Sequence, residues 1–231
     1  MEIHGLNKTT LLDYPGRVAS TIFTGACNMR CPFCQNADLV LDPKSQPTIP
    51  EEEVLAHIAK RKGIITGVCI TGGEPTLQKD LKDFIKKIRE IGVDVKLDSN
   101  GYRPEVLKDL LDEGLINYIA MDIKSSEGGY SRAAGVPIDI SRIKESIGLI
   151  MDSGIDYEFR TTVVKELHDE KTFEEIGEMI AGAKNYFLQA YVDSDRVICP
   201  GFTSYTRKEL EKFVNILHKN IKNVSIRGID D

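Results

Sequence analysis

No apolar run in this 231-residue chain approaches the ~18 residues that a membrane span needs. The opening Met1-Glu2-Ile3-His4 lacks the basic-then-apolar pattern of a signal peptide. A cytoplasmic protein with no membrane partner is therefore expected. Positive charge is also short: 30 Lys and Arg stand against 36 Asp and Glu, a formal net charge of -6. That balance argues against a nucleic-acid groove. It leaves room for a protein partner, or for a small anion met by local Lys and Arg. Cysteines are few and odd in number, namely Cys27, Cys31, Cys34, Cys69 and Cys199. A disulfide scaffold fits badly with an odd count, a sizeable core and no export signal, whereas a metal or cluster site fits well. The chain also lacks internal repeats and low-complexity tracts. At 41% hydrophobic and 29% charged residues it is long enough for one core. A single domain over 1–231 is expected, with a core at about 11–191 and a C-terminal helix and strand at about 206–227.

Short apolar runs alternate with longer amphipathic stretches. The runs at 17–23, 67–71, 93–98, 118–123, 157–163, 186–191 and 224–227 read as strands, with the weak alternation of strands covered on both faces. The stretches at 50–61, 77–91, 104–113, 139–153, 172–183 and 207–219 read as helices. Pro50 followed by three Glu suits a helix start. Leu81, Phe84, Ile85, Ile88 and Ile91 fall at helical spacing, and Gly92 follows as a stop. Thr206 is a candidate N-cap. Residues 42–50 hold three prolines and read as a loop. Repeated βα units imply a parallel sheet with right-handed crossovers. Six units are too few for a closed eight-stranded barrel. The fold class expected is α/β, a partial (β/α)6 barrel with outer helices. In such sheets ligands sit at the carboxyl ends of the strands.

The first of these strands runs into Gly25-Ala26-Cys27-Asn28-Met29-Arg30-Cys31-Pro32-Phe33-Cys34-Gln35-Asn36, with cysteines spaced C-x3-C-x2-C. Thiolates favour zinc or iron–sulfur clusters. Structural zinc takes four protein ligands, and only three are local here. Cys69, Cys199 or a distant His would have to supply the fourth. A purely electron-carrying cluster also normally takes all its ligands from protein. Three cysteines on a four-iron cluster leave one iron open for a substrate, by the logic of an open catalytic metal site.

The C-x3-C-x2-C loop with Phe33 before its last cysteine resembles the signature of the radical S-adenosylmethionine (SAM) superfamily. Thr71-Gly72-Gly73-Glu74-Pro75 resembles that family's GGEP motif. Leu97-Asp98-Ser99-Asn100-Gly101, Met121-Asp122-Ile123-Lys124 and Asn36 are similar to motifs of glycyl-radical-enzyme activases. So are Leu11-Leu12-Asp13-Tyr14-Pro15-Gly16, Phe159-Arg160-Thr161-Thr162-Val163 and Phe187-Leu188-Gln189-Ala190-Tyr191. Within that group the likeness is to the longer form of the anaerobic ribonucleoside-triphosphate reductase activating protein. Pyruvate formate-lyase activases share most of the motifs. No cysteine lies between Cys34 and Cys69, so the insert that holds further clusters in many activases is absent.

The resemblance implies a [4Fe–4S] cluster on Cys27, Cys31 and Cys34, with SAM on its open iron. Reductive cleavage of SAM would then yield a 5′-deoxyadenosyl radical that makes a glycyl radical on a partner enzyme. A flavodoxin or ferredoxin-type protein would donate the electron. The resemblance places Phe33 by the adenine, and Gly72, Gly73 and Glu74 along the methionine end of SAM. Asn36, Asn100 and Gln189 join the SAM site, with Gln189 at the adenine or ribose. Lys124 and Arg160 offer charge to the SAM carboxylate, Arg160 with a fork suited to it. Asp98, Ser99 and Asp122 are expected to hold a monovalent cation. Plainer readings stand beside these. Phe33 could cap the core, Asp98 and Asp122 could cap loops, and Arg160 could pair with Glu158 or a surface acid. Cys69 reads as a buried inert thiol and Cys199 as a loop residue outside the chemistry. His4 and His168 stand in no ligand spacing, and His57 and His218 read as surface positions on helices. Two other functions remain open. One is a radical SAM enzyme acting on a small molecule, and the other is a zinc or electron-transfer module.

Overall fold

The structure, a computed structural model, describes residues 1–229; the last two residues of the expected 1–231 domain lie outside the described residues. Among these, eight strands form one sheet in sequential order. They are β1 (Ile3–Thr10), β2 (Ala19–Thr24), β3 (Gly67–Gly72), β4 (Asp94–Ser99), β5 (Tyr118–Asp122), β6 (Asp156–Val163), β7 (Asn185–Ala190) and β8 (Asn223–Arg227). β1 runs antiparallel to β2, and β2 through β8 are all parallel. β1 and β8 do not pair with each other. The open α/β barrel is therefore as expected, with one addition. β1 is too polar on its solvent side to read as a buried strand, and the 42–50 loop meets its start, with Ile49 N donating to the Ile3 carbonyl at 2.8 Å. The Leu11–Gly16 segment links β1 to β2 and leaves Leu11 and Leu12 exposed.

The helices are α1 (Ala37–Leu41), α2 (Glu51–Lys60), α3 (Leu81–Ile91), α4 (Pro104–Asp112), α5 (Tyr130–Ala134), α6 (Ile140–Asp152), α7 (Glu170–Met179) and α8 (Arg207–Leu217). The two five-residue helices α1 and α5 carry too little periodicity to read from sequence. The longer ones bury one apolar stripe, as Leu81, Phe84, Ile85 and Ile88 do in α3. Gly92 ends α3 in the left-handed conformation at φ 91°. Thr206 caps α8 in a reciprocal pair with Glu209, and Asp169 does the same for α7 with Thr172.

The weak alternation of the strands has a different cause from the one expected. Their outer faces, such as Val95, Leu97, Ile119 and Phe159, join the core under the helices. Their inner faces carry a buried polar network. Lys96 and Glu158 are 2% and 1% exposed. Glu158 takes a two-pronged bond from Arg227 at 2.8 and 3.0 Å and a hydroxyl from Tyr118 at 2.9 Å. Tyr14 packs edge-on against Tyr118, 5.8 Å between centroids, at the amino-terminal end of the strands.

Candidate active site at the barrel mouth

The carboxyl ends of β2 to β7 surround one cavity. All fifteen residues expected in the site line it: Cys27, Cys31, Cys34, Phe33, Asn36, Gly72, Gly73, Glu74, Asp98, Ser99, Asn100, Asp122, Lys124, Arg160 and Gln189. Sequence reasoning missed Met29 and Thr162, which also line it. Thr162 follows Arg160 by two on β6, so strand alternation could have found it.

The cysteine loop is clamped by its neighbours. Gly73 N donates to the Thr24 carbonyl and Glu74 N to the Ala26 carbonyl, both at 2.8 Å. The Asn36 amide donates to the Gly72 carbonyl at 2.9 Å. From the loop after β7, Ile198 N and Cys199 N donate to the carbonyls of Cys34 and Pro32, at 3.2 and 2.8 Å. The paired glycines serve this clamp. Gly72 sits at φ +120°, and a Cβ on Gly73 would stand 1.9 Å from the Ala26 carbonyl oxygen. The cysteine loop's own backbone approaches them, and both glycines line the cavity as well.

Glu74 belongs to the same frame. It is 1% exposed. Its carboxylate accepts from Thr76 N, Thr76 Oγ1, Ser99 Oγ and Asn100 N at 3.1, 2.6, 2.9 and 2.7 Å. Burial pushes its carboxyl up, and those bonds pull part of the shift back. Glu74 therefore ties the β3 loop to the β4 loop. Asn100 continues the tie, its amide donating to Asn28 Oδ1 at 2.7 Å and reaching Cys27 Sγ at 3.8 Å.

The thiols lie at the floor of the cavity. Cys31 and Phe33 are 6% and 4% exposed. Burial, then the Glu74 carboxylate, push the Cys27 thiol up to about 12. Burial also raises Cys31. Met29 N points at Cys27 Sγ, 3.3 Å away. Phe33 packs edge-on to His168 at 6.4 Å, so it caps the core and walls the cavity at once. His57 is only half-exposed, packed at β1 by contact with the Lys8 carbonyl at 3.2 Å, while His218 is exposed as expected.

Charge is arranged as a chain. Arg160 bridges two carboxylates, Nε to Asp122 at 2.5 Å and Nη2 to Asp98 at 3.0 Å. Lys96 pairs with the other side of Asp98, and Lys124 with Asp122 at 2.9 Å. Burial raises both carboxyls, but the flanking cations outweigh it and hold them below the usual range. Arg160 thus pairs inward, and Glu158 belongs to Arg227. Asp98, Ser99 and Asp122, expected to hold a monovalent cation, stand together on the cavity wall. Arg160, Lys96 and Lys124 neutralise both acids, and the Ser99 hydroxyl is given to Glu74. Cys69 is buried beside this chain, 3.6 Å from Asp98 Oδ1. Gln189 differs from the rest, since its side-chain amide has no partner among the described residues.

Residues 21–180 match the radical SAM superfamily. The chain belongs to the radical SAM superfamily. A Methanocaldococcus jannaschii protein that bears the name glycyl-radical enzyme activating enzyme is 32% identical over 240 residues, covering 99% of this chain and 96% of its own. A Thermococcus kodakarensis protein that bears the name GTP 3′,8-cyclase is 31% identical over 170 residues, covering 71% of this chain and 54% of its own. The fold is shared with Streptococcus suis SuiB bound to S-adenosylmethionine, at a TM-score of 0.70 and 13% identity over 89% of this chain and 49% of that one.

This radical SAM chain is thus an enzyme of the oxidoreductase type whose cofactors are a [4Fe–4S] cluster and SAM. The donor set at the cavity floor fits a cluster. Three soft thiols share one short loop, with an N–H aimed at one sulfur, beside a polar cavity. Structural zinc takes four protein ligands, whereas among the described residues this loop brings three thiols to the cavity. Among the described residues, too, no helix is long and apolar enough to cross a membrane.

Proposed function

We propose that Cys27, Cys31 and Cys34 hold the [4Fe–4S] cluster and that the chain activates a glycyl radical enzyme, an anaerobic ribonucleoside-triphosphate reductase. The observation that carries this reading is the likeness to the Methanocaldococcus jannaschii activating enzyme, which spans nearly the whole of both chains. The likeness to the cyclase covers little more than half of that protein, so it supports the radical SAM core rather than cyclase chemistry.

When bound, the cluster and SAM supply a one-electron cleavage of the sulfonium C–S bond, giving methionine and a 5′-deoxyadenosyl radical that takes a hydrogen from a partner glycine. The chain's own residues bind and orient. Lys124 spends one of its three donors on Asp122 and keeps the others for the SAM carboxylate. Arg160 acts through Asp98 and Asp122, holding both strand ends at a fixed spacing. The unpartnered Gln189 amide meets the adenine or ribose, and Phe33 walls the adenine side. Asn36, Gly72, Gly73, Glu74, Ser99 and Asn100 hold the cysteine loop in place. A flavodoxin or ferredoxin-type protein supplies the electron.

The test is anaerobic incubation with SAM, a reductant and each glycyl radical enzyme of the same genome, read by electron paramagnetic resonance. A glycyl doublet on the reductase is the expected outcome. SAM cleavage with no doublet on any of them removes the activase reading and leaves a small-molecule radical SAM enzyme.

A further inference from the structure

Lys96 is a lysine inside the barrel. It sits on β4 two residues before Asp98, so strand alternation sets both on the inner face, with Lys96 the deeper. Asp98 lines the SAM cavity, and Lys96, 2% exposed, stands behind it. Its neighbours across the sheet are Cys69 on β3 and Tyr118 on β5. The ammonium meets Asp98 Oδ1. It stands 3.7 Å from Cys69 Sγ and 5.8 Å from the centre of the Tyr118 ring. Burial works against its charge, but the Asp98 carboxylate more than offsets this, and the Lys96 pKa stands above its ordinary value. The side chain is therefore a fixed cation.

Holding the fold together does not call for one. An apolar side chain of similar volume is often as stable in such a place, or more so. The use of Lys96 lies in charge. Asp98 Oδ1 faces Lys96 and Oδ2 faces Arg160, while Asp122 Oδ1 faces Arg160 and Oδ2 faces Lys124. Each of the four carboxylate oxygens thus has a cationic partner within the protein. Three cations against two carboxylates leave one positive charge over, which matches the single negative charge of the SAM carboxylate. Without Lys96 the group is neutral, and Asp98 Oδ1 keeps the Cys69 thiol, 3.6 Å away.

We propose that Lys96 is the built-in monovalent cation of this SAM site, a positioning residue that neutralises Asp98 from behind so that SAM binds without added Na⁺ or K⁺. This rests on SAM lying in this cavity and is independent of which partner the enzyme activates.

The experiment is calorimetric titration of the anaerobic, cluster-loaded chain with SAM. The salt is tetramethylammonium chloride, whose cation is too bulky for the site, or NaCl, KCl or NH₄Cl at the same ionic strength, so that screening is constant. Wild type should bind SAM equally in all of them, within about twofold. The side chain introduced by Lys96→Met ends one atom short of the ammonium and leaves its place free. In tetramethylammonium chloride this variant should bind SAM at least about tenfold more weakly, and Na⁺, K⁺ or NH₄⁺ should restore most of the loss. Adding Asp98→Asn to Lys96→Met should remove that recovery, which a merely structural role for Lys96 does not explain. Wild type that gains about tenfold in SAM affinity from Na⁺ or K⁺ overturns the assignment whether or not the variant folds. So does Lys96→Met binding SAM like wild type in tetramethylammonium chloride, or a loss that no small cation restores. No SAM binding by wild type in any salt removes the SAM site itself.

Discussion

His168 Nε2 lies 2.9 Å from the carbonyl oxygen of Lys124. On its other side Val164 N donates to Nδ1 at 3.1 Å. The Val164 carbonyl also lies 3.2 Å from Nδ1; with Nε2 donating to Lys124 and Nδ1 accepting from Val164 N the ring is neutral, and it packs against Phe33 on the wall of the SAM cavity. The histidine was legible in sequence only as an isolated residue. Its place was decided by the packing of the β6–α7 loop against Phe33 and Phe173.

Burial lowers the His168 pKa. A group whose folded value is depressed contributes stability above its unfolded value and loses it as pH falls. Stability should therefore decline below about pH 6.5, by at most about 1.4 kcal/mol per pH unit for this one proton. Thermal melts of wild type and His168→Gln between pH 5 and pH 7.5 check it (conditions chosen about the free His value). The variant should be less stable at neutral pH and show a flatter acid limb. Parallel curves would remove His168 as the titrating group.

Among the described residues, Arg160 is the one cation shared by Asp98 and Asp122. Arg160→Met leaves Asp98 with Lys96 and Asp122 with Lys124 but removes the bridge between two half-buried carboxylates, and should cost up to about 3 kcal/mol at neutral pH. The penalty should shrink in mild acid, where one carboxyl takes a proton. Urea unfolding at both pH values measures this. An equal penalty at both would show that lost packing, rather than uncompensated charge, is responsible.

Gly73 and Gly148 should respond in opposite ways to the same methyl. A Cβ on Gly73 meets the Ala26 carbonyl oxygen, one residue before Cys27, so Gly73→Ala should lower iron content well below one cluster per chain. A Cβ on Gly148, exposed on α6, meets nothing within 4 Å. Gly148→Ala should stabilise the chain by about 0.5–1 kcal/mol and leave iron unchanged. Iron assay and denaturant melts decide both.

Cys27→Ala, Cys31→Ala and Cys34→Ala should each abolish the cluster's visible absorbance and 5′-deoxyadenosine formation. Cys69→Ala and Cys199→Ser should keep both, since Cys69 faces Asp98 and Cys199 is exposed. Full-rate 5′-deoxyadenosine formation by Cys31→Ala would falsify the ligand assignment.

The sequence by itself determined the order of βα units, the helix stops and caps at Gly92 and Thr206, and the positions of all the expected site residues. These are local matters, since periodicity, capping and motif spacing are written into neighbouring residues. Tertiary structure decided what those residues do to one another. It turned Gly72 and Gly73 toward the cysteine loop, bound Glu74 into the frame, and seated Arg160 between Asp98 and Asp122. It also added β1 at the sheet edge and set Lys96 behind Asp98. Each of these depends on groups far apart in the chain meeting across a barrel, where close approach and charge neutralisation select the partner, and no single stretch of sequence records that choice.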